Sequence, residues 1–217
     1  MLSEQEDVYY YITLMNENYA HPDMPAGAEK GIIKGMYLLR DSVSGNGDSG
    51  KAKSKSKAPT VQLLGSGTIL REVIAAADLL EAEFGVASTI WSCPGFNELR
   101  RDGFDVERWN RLHPGETPRS ARVTDLLATS TGPVVAVTDF MRAVPDQIAR
   151  WVPAGRRFTS LGTDGFGRSD TREALRRYFE TDAAHVVVAV LAGYAVVTIR
   201  RGRAVGKRLP PDERRWM

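Results

Sequence analysis

The sequence has little of the chemistry that builds disulfide scaffolds or zinc centres. It contains one cysteine and three histidines, so no second thiol is present for an internal disulfide. Cys93 ends an apolar stretch, where a cysteine is usually buried and inert. His21, His113 and His185 are far apart, and no metal-ligand spacing connects them. These features favour a reduced, cytoplasmic setting and no metal site built from these residues.

Strong charge and targeting segments are also missing. The net charge of +2 is too small to indicate nucleic acid or an acidic membrane as the main partner. The amino terminus is acidic and lacks the basic head and apolar core of a signal peptide. The uncharged apolar run at residues 186–199 is shorter than the roughly 20 residues that cross a bilayer. We therefore expect a buried core helix there, and neither nucleic acid nor a membrane as partner.

From residue 60 onward, strand patterns alternate with helix patterns. Apolar strands are predicted at residues 61–64, 86–91, 134–138 and 157–161. Helices are predicted at residues 69–84 and 96–112, and over 140–152 with an interruption at Pro145. This alternation indicates an α/β fold with a mostly parallel sheet and helices on both faces.

The pattern before residue 60 is less regular. Residues 8–15, rich in β-branched and aromatic side chains, predict a buried strand. Residues 26–39 have helical spacing, although Gly31 and Gly35 weaken it. Residues 42–60 contain almost no large apolar side chain and predict a flexible linker. A phosphate-loop-like run in this linker has Ala52 where magnesium needs a hydroxyl, so we interpret it as linker.

Two glycine-containing turns are candidate ligand sites. Gly65 and Gly67 follow a predicted strand and precede a helix, as in a dinucleotide fold, but Leu70 stands where the third small residue belongs. We interpret this run as a structural turn. The second turn lies within Leu161 to Glu173, where Gly165 and Gly167 supply backbone angles that other residues adopt only at a cost.

The other polar residues of the second turn are predicted to cap the following helix or to form ion pairs or interface contacts. Asp170 is placed to cap the following helix, and Glu173 to complete a capping box. The buried side of that helix is predicted to consist of Ala174, Leu175, Tyr178 and Phe179. Asp164 and Arg168 are not needed for capping and are expected to pair with each other or to contact another chain. No histidine, cysteine or second carboxylate lies nearby in sequence, so we favour a structural or interface role over catalysis.

Several motifs together resemble one enzyme family. The runs are Tyr9 to Tyr19, Val61 to Gly67, Arg101 to Gly103, Glu107 to Asn110, Leu112 to Pro114 and Leu161 to Asp170. In order and spacing they are similar to the carboxy-terminal portion of the homodimeric bacterial pyruvate dehydrogenase E1 component. The resemblance implies a transketolase-like C-terminal domain at residues 61–192. It also implies the end of a pyrimidine-binding domain at 1–41, a linker at 42–60 and a divergent basic tail at 193–217.

The resemblance also implies a function for the whole enzyme. In this family, thiamine diphosphate and magnesium support decarboxylation of pyruvate, and the acetyl group passes to a lipoyl arm of E2, the dihydrolipoyl acetyltransferase. The Gly-Asp-Gly motif that anchors the cofactor is absent from this sequence, so no catalytic, cofactor-binding or metal residue is transferred. The expected role of the chain alone is assembly with the rest of E1 and with a second E1 subunit.

Two departures from the family leave alternatives open. The linker is longer and more basic than the family's short connection, and the sequence after Ala192 lacks the family's polar final helices. A non-catalytic binding module that holds an anionic partner with its tail, Arg200 to Arg215, is one alternative. Another is an E1 that acts on a different 2-oxo acid. The segments that select the substrate in this family lie upstream of the region that this sequence resembles, so the motifs do not distinguish the two.

Overall fold

The computed structural model describes residues 3–9, 18–42 and 59–200 of the chain. The predicted strand at residues 8–15 lies mostly outside the described residues, as do most of the predicted linker and the tail beyond residue 200. These three predictions remain predictions.

A five-stranded sheet forms the centre of the domain. Its strands are β1 (Tyr37–Asp41), β2 (Thr60–Gly65), β3 (Ala87–Ser92), β4 (Val134–Val137) and β5 (Phe158–Leu161), in the order β1-β3-β2-β4-β5. The strands β2 to β5 run parallel, and β1 pairs antiparallel with β3 along one edge. The predicted α/β fold with a mostly parallel sheet is confirmed.

Helices cover both faces of this sheet. They are α1 (Glu29–Ile33), α2 (Leu70–Phe84), α3 (Phe96–Leu112), α4 (Arg122–Leu127), α5 (Ala143–Asp146), α6 (Arg172–Tyr178) and α7 (Ala183–Arg200). Single 3-10 turns at Gly67–Ile69 and Ala149–Trp151 precede α2 and follow α5. Because side chains alternate across a strand, each of the strands β2 to β5 contributes side chains to the cores on both faces.

The two cores are distinct. On one face, α2 and α7 pack on the sheet through fully buried residues such as Val73, Leu80, Val186 and Val190. On the other, α3, α4 and the segment after α5 bury Leu99, Leu127, Ile148 and Trp151. The helix predicted at residues 186–199 lies within α7, and its residues up to Tyr194 pack in the core. No helix within the described ranges is long and apolar enough to cross a membrane.

Two predicted helices are wrong in part. The helix expected over 26–39 is only the short α1, because Gly35 has φ +85° and the chain then becomes the edge strand β1. A Cβ on Gly35 would lie 2.3 Å from the Gly95 carbonyl oxygen, so the turn requires glycine there. In residues 140–152, Pro145 lies inside the first turn of α5, where proline is tolerated, and the break comes after Asp146.

Candidate functional site at the carboxyl edge of the sheet

The turns that follow β2, β4 and β5 meet at the carboxyl edge of the sheet. The chain continues from β2 to β3 on one side, while β4 lies on the other side of β2. This arrangement makes the gap between β2 and β4 a topological switch point, the usual ligand crevice of open α/β sheets. The gap is narrow, since a Cβ on Gly67 would lie 3.7 Å from Oδ1 of Asp139.

The turn after β2 has the structural role expected from the sequence. A Cβ on Gly65 would lie 2.7 Å from Cδ1 of Leu70, so this side chain packs directly over the turn. The third fingerprint glycine of a dinucleotide fold would leave that space open. Leu70 therefore closes the approach that a pyrophosphate would need in the dinucleotide arrangement.

The β5–α6 turn, residues 162–171, is tied to the turn after β4 through Asp164. One carboxylate oxygen accepts a hydrogen bond from the backbone N–H of Arg142 at 2.9 Å, and the other accepts one from Nε of Arg142 at 2.5 Å. The backbone hydrogen bond, followed by the side-chain bond, lowers the pKa of Asp164. The backbone N–H of Thr163 also donates to the Phe140 carbonyl oxygen at 2.8 Å. The two turns thus form one unit.

Of the two alternatives for Asp164 and Arg168, a mutual ion pair is not found among the described contacts, and contact with another chain stays a prediction. The guanidinium of Arg168 lies 4.7 Å from the ring centroid of Tyr178, in a cation–π contact, while Asp164 pairs with Arg142. Sequence reasoning missed Arg142, which lies 22 positions before Asp164. The sequence pattern that could have predicted this pair is that both residues follow predicted strands of a parallel sheet, whose carboxyl ends lie at the same edge.

The predicted cap is also displaced by one residue. Thr171 is the N-cap of α6, and its Oγ1 accepts a hydrogen bond from the backbone N–H of Ala174 at 3.3 Å. Asp170 instead accepts from the backbone N–H of Thr171 at 2.8 Å. Glu173 lies 4.0 Å from Arg177 and has no capping-box bond among the described contacts. The expected buried side of α6 is wrong as well, because this helix has no fully buried residue.

The tip of the β5–α6 turn presents an aromatic side chain to solvent. Gly165 and Gly167 have φ +93° and +77°, which confirms that both positions need glycine-like backbone angles. Phe166 between them is fully exposed, and Phe140 and Met141 on the neighbouring turn are more than half exposed. Adjacent exposed apolar side chains of this kind are typical of a contact surface for another protein segment.

Beside this tip lies a cleft of about 220 Å³. Its lining residues are Thr68, Ile69, Asp139, Thr163, Gly167, Arg168, Arg172, Leu175, Arg176, Phe179 and Thr181. Arg176 is held at its wall by Glu72, with Nη1 of the arginine 2.8 Å from Oε1 of the glutamate. The second Glu72 oxygen accepts a hydrogen bond from the backbone N–H of Ala183 at 3.2 Å. Both side chains of this ion pair are about four-fifths buried.

The remaining sequence candidates have structural positions. Cys93 is fully buried, and burial raises the pKa of its thiol above the ordinary value. His113 stacks on Trp109, and Nδ1 of His185 lies 2.6 Å from Oδ1 of Asp182 at the start of α7. His21 is exposed. Within the described part of the chain, no group of three or more His, Cys, Asp or Glu side chains is placed to hold a metal ion.

The fold is an α/β domain of the doubly wound type. Its candidate site is formed by the turns that follow the parallel strands β2, β4 and β5. The family model described as transketolase-like TK C-terminal domain matches residues 49–182. The chain belongs to this family.

Known proteins similar to the chain support the resemblance found in the motifs. The Pyruvate dehydrogenase E1 component of Cupriavidus necator is 57% identical over 195 residues, which cover 90% of this chain and 20% of the relative. That of Escherichia coli is 51% identical over 88% of this chain and 20% of the relative. The chain therefore spans about a fifth of the length of the curated relatives it matches. A solved transketolase from Campylobacter jejuni is 19% identical over 73% of this chain and 18% of that structure, with a TM-score of 0.46.

Proposed function

We propose that this chain is the carboxy-terminal domain of a pyruvate dehydrogenase E1 component, and that it serves assembly and dimerisation of that enzyme. The observation that carries the proposal is the 57% identity to an E1 component over 90% of this chain. The complete enzyme would use thiamine diphosphate and magnesium to decarboxylate pyruvate and to acetylate the lipoyl groups of E2. Its setting would be the cytoplasm.

The described residues do not fit the cofactor. Magnesium that carries a diphosphate needs several oxygen ligands, commonly carboxylates and amide oxygens. Asp139 is the one carboxylate that lines the carboxyl-edge cleft, and the described residues include no cluster of three acidic or other metal-binding side chains. We therefore assign no catalytic step to this chain and place cofactor binding in the rest of E1.

The domain boundaries follow from the same proposal. Residues 61–192 would be the transketolase-like domain, 42–60 its linker, 1–41 the end of the preceding domain and 193–217 a divergent tail. The strand β1 lies within residues 1–41 and pairs with β3, which lies within residues 61–192. Contact between successive domains of E1 would then include this shared sheet edge.

The β5–α6 turn is the surface we assign to assembly. Fully exposed Phe166 lies at its tip, and the Arg142–Asp164 ion pair holds its base against the neighbouring turn. Burial of this aromatic side chain against the rest of E1 or a second subunit would contribute about 1.5–3 kcal/mol. A braced turn also loses little conformational entropy on docking.

The first test concerns the native polypeptide. An antibody raised against this segment should detect, in extract of the source cell, a polypeptide four to five times as long as the chain, because the 195 matched residues are 20% of the relative. The purified chain alone, supplied with thiamine diphosphate and magnesium, should not decarboxylate pyruvate. A band at the chain's own size with no E1 polypeptide co-purifying, or decarboxylation by the chain alone, would overturn the proposal.

The second test separates the assembly surface from the identity of the enzyme. Phe166→Ser in the native polypeptide should weaken dimerisation measured by light scattering and lower pyruvate decarboxylation in proportion. Phe84→Ser is the control, because Phe84 is another exposed phenylalanine, with 40% of its surface accessible, but it ends α2 at the opposite edge of the sheet. Equal dimerisation of the Phe166 variant and the wild-type enzyme would remove this turn from the interface and leave the E1 assignment in place.

A further inference from the structure

We propose that the outer edge of β5 binds an extended, acidic segment from the rest of E1, whose carboxylates pair with Arg156 and Arg157 at the amino end of this strand. The inference rests on the proposed function, because the segment belongs to the same enzyme. The edge leads directly into the β5–α6 turn, so it extends the assembly surface without including the exposed tip at Phe166.

The strand β5 is an edge strand within the described part of the chain. It pairs with β4, and the strand order of the sheet ends with it. The carbonyl oxygens of Arg157 and Leu161 accept hydrogen bonds at 2.8 and 3.1 Å from backbone N–H groups in and just after β4. Because the backbone groups of a strand alternate in direction, those of Phe158 and Ser160 point away from β4. Such a row of outward groups can pair with another extended segment.

The edge is accessible to such a segment. All four residues of β5 are partly exposed, whereas all four residues of the neighbouring strand β4 are buried. Backbone pairing gives a docked strand affinity without regard to its sequence, so specificity has to come from side chains next to the edge. The charges at the two ends of β5 supply it.

The amino end of this edge has two arginines without an acidic partner among the described residues. Arg156 and Arg157 directly precede β5, and neither forms an ion pair there. Nη1 of Arg156 is buried and has no hydrogen-bond partner. Burial lowers the pKa of this guanidinium, with no described carboxylate close enough to oppose the shift. A buried cation without a partner is costly, so the site favours a carboxylate from outside the described chain.

The two arginines lie on opposite faces of the sheet. Because side chains alternate along an extended chain, Arg156 shares the face of Phe158, which packs against the core formed with α3 and α4. Arg157 lies on the other face, where its Cδ would be 3.9 Å from a Cβ on Gly193 of α7. Two adjacent acidic residues of a docked strand would also point to opposite faces, so each would reach one arginine.

The carboxyl end of the edge has the opposite charge. Oδ1 of Asp146, on α5, accepts a hydrogen bond at 2.6 Å from Oγ of Ser160. A carboxylate of the docked segment would be repelled at this end. The segment is therefore expected to be acidic beside Arg156 and Arg157, and uncharged or basic beside Ser160.

The rest of the E1 polypeptide is the source that these observations favour. The chain spans about a fifth of the length of its relatives, so most of the enzyme lies outside it. A segment of the same polypeptide is present at a high effective concentration, which allows an edge of only four residues to hold it. Continuity of β5 with the turn assigned to assembly would allow one docking event to cover both surfaces.

The first test is titration of the full chain with a synthetic glutamate peptide of about eight residues at constant ionic strength, followed by backbone amide NMR. We expect saturable binding that shifts the amide signals of Phe158 and Ser160 and leaves those of β1, the other edge strand, unchanged. Arg156→Gln should weaken binding roughly tenfold or more, as loss of a charged hydrogen bond predicts. No saturable binding at millimolar peptide, or equal shifts in β1, would overturn the proposal.

Two further variants separate docking from general charge attraction and from folding. Arg111→Gln is the matched control, because it removes the same charge from the last turn of α3. It should change the affinity by no more than about twofold, as is usual for an exposed charge, and a loss equal to that of Arg156→Gln would mean nonspecific attraction. Arg156→Met should bind the peptide weakly and yet be at least as stable in urea as wild type, because it removes an unpaired buried cation. Loss of stability in this variant would show that the guanidinium supports the fold itself and would refute the docking role.

Hydrogen exchange distinguishes this inference from the proposed function. In the native E1-length polypeptide, the amides of Phe158 and Ser160 should exchange about tenfold more slowly, or slower still, than in the chain alone. The amide of Thr159 faces β4 and should be protected in both. Unchanged exchange at Phe158 and Ser160 would overturn the docking edge and leave the E1 assignment in place. A native polypeptide of the chain's own size would instead refute the E1 assignment and, with it, the source of the segment.

Discussion

Gly103→Ala is expected to destabilise the domain, although alanine is the better helix former. Gly103 is buried in α3 and faces the indole ring of Trp151. A Cβ at this position would lie 2.3–2.6 Å from three atoms of that ring. Carbon atoms pack favourably at roughly 3.5–4.0 Å, so the ring or the helix must move by about 1 Å.

The indole ring is held on several sides. Nε1 of Trp151 donates a hydrogen bond to Oε1 of Glu107 at 2.9 Å, and the edge of Phe104 meets the ring at a centroid distance of 5.1 Å. The backbone carbonyl of Trp151 also accepts a hydrogen bond from Oγ1 of Thr124 at 2.6 Å. Displacement of the ring would therefore disturb its contacts with α3, while the hydrogen bond from α4 holds the Trp151 backbone in place.

The size of the effect follows from three contributions. Overpacking of a tight core costs about 1–3 kcal/mol, and the required displacement places this site near the upper limit. Weakening of the Trp151–Glu107 hydrogen bond adds about 1 kcal/mol, while alanine in place of glycine returns about 1 kcal/mol of helix stability. We expect a decrease of about 3 kcal/mol in the free energy of unfolding. The melting temperature should then fall by about 6–12 °C.

The measurement is equilibrium unfolding in urea, followed by far-UV circular dichroism. Gly115→Ala is the matched control, because a Cβ there meets no atom within 4 Å and its φ is not in the left-handed region. Its stability should be equal to that of the wild-type chain or up to about 1 kcal/mol higher. A second variant, Gly103→Ala with Trp151→Phe, should lose less than the two single changes combined, because the smaller ring leaves room. A Gly103→Ala chain as stable as wild type would refute the steric reasoning.

Three further predictions concern other described residues. Gln62→Leu should lower the free energy of unfolding in urea by about 1–3 kcal/mol, since Trp91 Nε1 loses its buried acceptor, the Gln62 side-chain oxygen; an unchanged midpoint would contradict this. Asp164→Asn should be less stable than wild type at neutral pH, and thermal melts should show the difference vanish as pH falls below about 4. The reason is that the hydrogen bonds from Arg142 lower the pKa of Asp164 in the folded state, so their contribution is present above the unfolded pKa and is lost on protonation; a difference that grows in acid would reverse the sign. Cys93 should resist a neutral alkylating reagent in the native chain and react fully in denaturant, because it is buried and burial raises the pKa of its thiol; mass spectrometry would show native labelling if this is wrong.

The sequence alone was sufficient for the four parallel strands and for the helices α2, α3 and α7, but it did not predict α4. The helix predicted at 96–112 has the bounds of α3, and Gly85 ends α2 with φ 62°. Long apolar periodicities and glycine caps are local properties, so they can be identified without knowledge of the fold. The family motifs were also local, and the family match over residues 49–182 confirms the domain that those after residue 60 indicated.

Edge elements and turns depended on residues distant in the chain. The helical spacing of residues 26–39 gave no indication that residues 37–41 would pair with β3, because an edge strand is selected by its partner. In the β5–α6 turn, Asp164 had an obvious partner in Arg168 by proximity in sequence. Its actual partner is Arg142, which lies in the turn after the neighbouring strand β4.

The sequence by itself thus determined the fold class, the apolar faces of α2 and α7 that cover one side of the sheet, and the glycines of local turns such as Gly165 and Gly167. Only the tertiary structure decided which charges meet. Arg168, Arg172 and Arg176 reach one cleft because the turn after β5 folds back beside α6, and Asp139 and Thr68 join them from other strand ends. Periodicity along a chain encodes burial, whereas contacts between turns depend on strand order, which local residue patterns do not specify.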